Sequence, residues 1–236
     1  MTKLLNRMYK SIISIGESLN LIPIQDNMHQ PRGDRYFIVN KPCDMVSQFV
    51  SPDDVRLLGD LDFPFPEGTH AIGRLDNHSE GLLILTTNKK VTRLLFQGET
   101  LHKRTYLVKV KYAVSAESLE RLRNGVPVRV KGGENYTTSP CEAEIVEKPA
   151  GLFCNGYETQ DYLPHTWLLI TLTEGKFHQV RKMVAALRHR CIRLIRVSIE
   201  DLLLADLPVG AVRELEEDLF FRQLKITDYK IPVSDT

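Results

Sequence analysis

The sequence predicts an α+β domain built on a mixed, mostly antiparallel sheet flanked by helices. Three observations carry this. Short strand-like runs recur between residues 36 and 199. Helix signals fall between them irregularly, without the strand–helix alternation of a doubly wound parallel sheet. Val180, Met183, Val184 and Leu187 form a helical stripe just ahead of the last apolar run. At 236 residues the chain has room for one large domain or two small ones.

Taken in order, residues 1–34 read as an N-terminal extension ahead of a domain over 35–236. Leu4, Leu5, Met8, Ile12 and Ile13 recur at roughly helical spacing, and Pro31-Arg32-Gly33-Asp34 supplies a turn-rich linker. Strands are predicted at 36–39, 82–86 and 106–112, the last with Tyr106, Val108, Val110 and Tyr112 on one face and Lys109 and Lys111 on the other. Helices are predicted at 89–97, after an Asn88 cap, and at 115–123, stopped by Asn124-Gly125. Strands follow at 141–147 and 167–173, separated by a long loop at 150–164 of the kind that often carries function. The Val180 stripe leaves Arg181, Lys182 and Arg188 off the packed face, and 192–199 is again a strand. Neither an internal repeat nor a low-complexity tract is present.

Composition excludes several classes. Every apolar run falls far short of the roughly 20 residues of a membrane span, and residues 1–10 lack a secretory pattern, so a soluble, cytoplasmic protein is expected. Cys43, Cys141, Cys154 and Cys191 are widely spaced with no CxxC pair, which predicts scattered thiols and no metal site. A net charge of +1 argues against a nucleic-acid partner only until its distribution is read. Between residues 176 and 196 lie Lys176, Arg181, Lys182, Arg188, Arg190, Arg193 and Arg196 with no acid, whereas 200–218 is mostly acidic. Such segregation allows a local basic face.

The most unusual segment is Gly73-Arg74-Leu75-Asp76-Asn77-His78-Ser79-Glu80-Gly81, a polar turn between glycines that feeds the apolar run 82–86. By residue type alone it is either a solvated hairpin with an Arg74–Asp76 surface pair or a turn presenting a carboxylate at a sheet edge. Two further readings stay open at this level: a hydrolase pairing Asp76 with Glu80, and an RNA-binding or ribosome-assembly factor without chemistry.

Three blocks narrow the choice. Gly73-Arg74-Leu75-Asp76 followed by Ser79-Glu80-Gly81-Leu82-Leu83, then Lys103-Arg104-Thr105-Tyr106, then Glu174-Gly175-Lys176-Phe177-His178-Gln179-Val180-Arg181-Lys182-Met183 resemble, in order, the motifs of the RsuA-type pseudouridine synthases. Asn40-Lys41-Pro42 and Leu194-Ile195-Arg196 fit the same pattern, and the resemblance spans about residues 36–205. It implies isomerisation of a uridine in ribosomal RNA, with the large subunit expected, by a cytoplasmic monomer needing no cofactor. It implies Asp76 as the catalytic carboxylate, with Tyr106 and Arg181 beside it. Arg74, Lys41, Lys103, Arg104, Lys176, His178, Gln179, Lys182 and Arg196 are the RNA or substrate contacts it suggests. No amino-terminal S4 module is evident, so specificity is expected from the domain itself and its 150–164 loop. Phe177-His178 stands where the pattern usually reads Asn-Arg, and Ser198-Ile199-Glu200 replaces a more usual Ile-Gly pair.

These residue types suit the reaction. A carboxylate is needed at the C1′/C2′ side of the sugar, as nucleophile or as base. In a pocket that excludes water it needs a guanidinium nearby to stay ionised, the part assigned to Arg181. A tyrosine ring stacks on uracil while its hydroxyl reaches the sugar edge. His78 and His178 are read as solvated or phosphate-facing rather than as acids or bases. Extruding a paired base costs a few kcal/mol, which phosphate contacts from the basic run, Lys109 and Lys111 are expected to offset.

Overall fold

The computed structural model describes residues 33–96, 100–129, 133–153, 163–227 and 229. The amphipathic start, Cys154 and most of the 150–164 loop lie outside the described residues. Strands β1 (Tyr36–Lys41), β2 (His70–Ile72) and β3 (Glu80–Thr86) come first, then helix α1 (Val91–Phe96), β4 (Arg104–Lys111), α2 (Ala116–Asn124) and the hairpin β5 (Pro127–Arg129) and β6 (Asn135–Thr137). β7 (Glu142–Val146), β8 (His165–Leu172), α3 (Gln179–Ala186), β9 (Cys191–Ile199), β10 (Leu202–Leu203), β11 (Val212–Leu215) and α4 (Glu217–Gln223) complete the fold.

The expected mixed, mostly antiparallel sheet is present. Nine strands run in the order β11-β1-β3-β9-β4-β8-β7, with β10 on β9 and β2 on β3, and β5 and β6 form a separate ribbon. β1 and β3 are buried along their whole length because both faces of the sheet are covered, which is why they read as unbroken apolar runs rather than as alternation. Tyr36, Ile38, Leu82 and Ile84 face one core with Phe220 and Phe221 of α4. Phe37, Val39, Leu83 and Leu85 face another with Met45 and Leu58. The third core joins Val108, Val110, Leu168 and Ile170 to Val180, Met183 and Val184, so the predicted stripe of α3 is the face that packs. Each such side chain contributes roughly 1.5–3 kcal/mol on burial.

The two halves of the sheet meet at β3 and β9, which pair in parallel through Glu80↔Ile195 and Gly81↔Arg196. Gly81 holds φ +98, and a Cβ there would lie 2.3 Å from the Arg196 carbonyl oxygen. That close approach and the positive φ require glycine. Beside it Glu80 and Arg193, 1% and 3% exposed, form an ion pair of 2.8 Å. Arg193 Nε donates to the second Glu80 oxygen at 3.0 Å, and its Nη2 also donates to the Phe153 carbonyl at 2.8 Å. Arg196 Nε donates across the same junction to the Leu82 carbonyl at 2.7 Å.

Ser115, expected as the first helical residue, instead caps α2 by accepting from the Ser118 N–H at 3.1 Å, and Gly125 ends it with φ 96, as the Asn124-Gly125 signal predicts. Lys109 departs from its expected place on an outer face: it is buried, its ammonium 5.9 Å from the Trp167 ring centroid, because this part of the sheet is also covered on both sides. The Glu200 departure is resolved by its backbone, which holds φ 48, a left-handed turn that glycine adopts most easily. Its carboxylate accepts from the Lys103 N–H at 2.6 Å and from Lys225 Nζ at 2.8 Å. Burial pushes the carboxyl up, but Lys225, the Lys103 backbone and His102 more than offset this and hold it below the usual range.

Removing one partner of the seam pair leaves a buried charge alone. Glu80→Ala is expected to lower the unfolding free energy by about 3–5 kcal/mol. Gly81→Ala, which forces a Cβ into backbone, is expected to cost about 2–4 kcal/mol. Urea unfolding followed by circular dichroism checks both, and a wild-type midpoint for either variant contradicts this account of the seam.

Candidate active site

Residues 73–79 link β2 to β3, so the Asp76 turn projects from the edge of the seam strand. Its shape is held at several points. The Ser79 N–H donates to the Asp76 carbonyl at 2.9 Å. Ser47 Oγ donates to the Leu75 carbonyl at 2.9 Å and accepts from the Leu75 N–H at 3.0 Å, fixing the residue before Asp76 in both directions. Beneath the turn the Lys41 ammonium donates to the carbonyls of Pro42 at 2.8 Å, Met45 at 2.5 Å and Asn77 at 3.2 Å. Burial pushes Lys41 down to about 8, against the pull of the acids around it.

Arg181, on the first turns of α3, reaches across to the same turn. Its Nη2 donates to the His78 carbonyl at 2.8 Å and to Ser79 Oγ at 3.2 Å, its Nη1 to Cys191 Sγ at 3.6 Å, and its Nε lies 3.9 Å from Asp76 Oδ2. His178, in the left-handed conformation ahead of α3, places Nε2 3.4 Å from Asp76 Oδ1. The side chain of Gln179 makes this geometry possible: its Oε1 accepts from the Lys176 N–H at 2.7 Å and its Nε2 donates to Glu174. Glu174 in turn accepts from Ser139 N at 3.0 Å and from Tyr136 Oη at 2.5 Å. Burial alone would raise the Glu174 carboxyl, but these donors outweigh it and hold it below its ordinary value.

Tyr106 arrives from the other half of the sheet. The β4–β9 register shifts between Thr105, paired with Ser198, and Tyr106, paired with Arg196. Such a bulge re-aims a side chain. Arg196 lies beside Tyr106 in the same cleft, and its buried Nη2 has no hydrogen-bond partner among the described residues. Burial pushes the Arg196 guanidinium below its usual range. Asp76, Tyr106, His178 and Arg196 line one cleft of about 790 Å³, whose apolar walls include Leu75, Leu172, Val180 and Leu194.

The predicted residues divide into three groups. Asp76, Tyr106, Arg74, Arg104, Lys176, His178 and Arg196 line the cleft, with Arg181 behind the turn and Lys182 one residue further along α3. Lys41 is buried and holds backbone beneath the turn, Gln179 is buried in the cleft wall with its amide bonded to the Lys176 N–H and to Glu174, and Arg196 is buried at the seam. Lys103 is not brought to this cleft: it pairs with Glu142 at 2.6 Å and lines a second groove on β7 and β8. Within the basic run, Arg193 and Arg196 point inward from β9, so the exposed cations are Lys176, Arg188 and Arg190, with Arg181 and Lys182 half-buried. Glu80, bound on both oxygens by Arg193, is unavailable as the second carboxylate of a hydrolase.

Ser47 and Phe177 went unmarked by sequence reasoning. A lone serine in the irregular segment after β1 carries no periodic or motif signal, and Phe177 registered only as a departure from a motif. Cys43, Asp44 and His78 bring ligand-type atoms within 4.8 Å of one another, but Asp44 already takes His78 Nδ1 at 2.6 Å. Cys43, Cys141 and Cys191 are free thiols, the last two raised by burial to about 11.

Residues 35–186 match the RNA pseudouridylate synthase family. Ribosomal large subunit pseudouridine synthase E of Vibrio parahaemolyticus is 36% identical over 193 residues, 80% of this chain and 78% of that protein. Ribosomal small subunit pseudouridine synthase A of Escherichia coli K12 is 30% identical over 190 residues, covering 80% and 74%. Among solved structures, a crystal structure of pseudouridylate synthase superposes with a TM-score of 0.64 at 26% identity, covering 81% of this chain and 74% of the other.

The buried Lys41 yields a pH test. Its folded value of about 8 lies below the ordinary 10.5, so between them the unfolded chain binds the extra proton and stability rises with pH. Against a Lys41→Met variant, wild-type unfolding free energy is expected to gain up to about 2 kcal/mol from pH ~7.5 to ~9.5 in urea titrations. Parallel pH profiles for the two proteins refute it.

Proposed function

The chain belongs to the RNA pseudouridylate synthase family, and from that premise we propose that it isomerises a uridine of large-subunit ribosomal RNA, with Asp76 as the reacting carboxylate. The observation that carries the assignment of residues is convergence. Asp76 from the β2–β3 turn, Tyr106 from β4 and Arg181 from α3 are far apart in sequence and meet around one cleft, in the branch of the family that the three motifs resemble.

The reaction breaks the N1–C1′ bond, turns the uracil, joins C5 to C1′ and releases the C5 hydrogen. Asp76 either attacks C1′ or removes a C2′ proton. Arg181 holds the turn by its backbone and sets its positive charge beside the Asp76 carboxylate. The Tyr106 ring stacks on the uracil. Arg196 Nη2, an orphaned buried donor at the base of the cleft, is satisfied by a uracil carbonyl, which turns an expected phosphate contact into a base contact. The apolar walls keep water from the sugar while the glycosidic bond is open. Neither redox change nor energy input is involved, so the chemistry calls for no cofactor. Large-subunit RNA is the substrate favoured by the names of the most similar relatives, and a cytoplasmic monomer is the working form this reading expects. No helix among the described residues is long and apolar enough to cross a membrane.

The test is tritium release from large-subunit RNA labelled at uridine C5. Wild type is expected to release tritium and Asp76→Asn none above background while still binding RNA. Arg181→Met is expected to lose on the order of a hundredfold in rate at saturating RNA. Equal release by wild type and Asp76→Asn removes the role of Asp76. Binding without release by all three proteins, on free RNA and on ribosomal precursor particles, favours an RNA-binding factor.

A further inference from the structure

Phe177 lies on the lip of the cleft and is 65% exposed, an unusual place for a phenyl ring. Its position is built. The His178 ring stacks beneath it with centroids 3.8 Å apart and planes 19° from parallel. His178 is held in turn by its left-handed backbone at the start of α3 and by Asp76 Oδ1 at 3.4 Å. Lys182, one helical turn along, places its ammonium 5.3 Å from the Phe177 centroid. Even with both neighbours in place most of the ring faces solvent.

An exposed aromatic ring in a basic surround is how proteins hold an unpaired nucleobase. The ring supplies a stacking surface without sequence preference, and Lys176 and Lys182 supply charge for the connecting phosphates. An apolar protein partner would not call for that charge. The Tyr106 ring inside the cleft serves the reacting base, so a ring on the lip meets the chain as it enters or leaves.

We propose that Phe177 is a stacking subsite for a nucleobase flanking the target uridine, braced by His178 and accompanied by Lys182. This deepens the functional reading above and rests on it for the identity of the RNA. Stacking there helps to hold the strand open while the target is extruded, offsetting part of that cost.

The test uses full-length protein and two probes, a short oligouridylate and an abasic ribose-phosphate oligomer of equal length. Phe177→Ala is expected to bind oligouridylate about tenfold more weakly and the abasic oligomer with unchanged affinity. Phe177→Trp is expected to bind oligouridylate as wild type does, its indole emission quenched by that probe but not by the abasic one. The native Trp167 is buried and supplies a constant background. Equal losses on both probes, no loss on either, or a wild type with no preference for bases each overturn the subsite. Tritium release is a separate readout: a chain inactive in that assay but showing the base-dependent loss at Phe177 would refute the isomerase reading and keep the subsite.

Discussion

The geometry of the cleft depends on how the two halves of the sheet are joined. Asp76 hangs from β3, whereas Tyr106 and Arg196 belong to β4 and β9, and among the described residues the strands of the two halves pair only through the short parallel contact at Glu80 and Gly81. A contact so brief does not define a register by backbone hydrogen bonds alone, and a slip of one residue would turn every side chain of a strand to the other face. The buried Glu80–Arg193 pair supplies the missing definition. Buried ion pairs are poor sources of net stability, since desolvation consumes most of the attraction, but they tolerate few alternative arrangements. Gly81 lets the strands approach closely enough for the pair to form, and Arg196 bonds across to Leu82.

Long elements were legible because burial writes a long pattern. β1, β3, β4, β8, β9 and the α3 stripe were placed within a few residues, and the absence of regular alternation pointed to the right sheet type. Shorter pieces were not seen. β2, β5, β6 and β10 span two or three residues each, below any periodic window, and pair because the chain is brought back to an existing edge. α4 went unread because it follows an acidic stretch, although Phe220 and Phe221 sit against Tyr36, at 4.6 Å in the case of Phe220.

The candidate site was legible as a motif and much less so as a set of roles. Sequence gives charge but not exposure, and a basic run invites the picture of a solvated face. That picture suits a helix whose polar side is wet. It fails for Arg193 and Arg196, which lie on a strand with both faces covered, and for Lys41, whose place at the end of β1 puts it beneath the Asp76 turn. The motif implies Gln179 as an RNA contact, and its amide also organises the turn that presents His178. Lys41, Arg193 and Gln179 thus hold the structure around the cleft, whereas Arg196 keeps a buried donor in it.

That displacement follows from what an isomerase of this kind has to do. The uracil is detached and rejoined, so water near the sugar is harmful, and cations lining the cleft have to be satisfied by something other than solvent. Here backbone carbonyls take that part: Lys41 donates to three of them, Arg181 to that of His78, and Arg104 to that of Thr173. Those bonds offset part of the desolvation cost and tie the turn, α3 and the sheet together, so a single set of cations fixes shape and field at once. Of the cations that line the cleft, Arg74 and Lys176 stay exposed. A near-neutral chain is therefore compatible with an RNA substrate, because much of its positive charge builds the cleft and a few outward cations suffice to hold the strand against it.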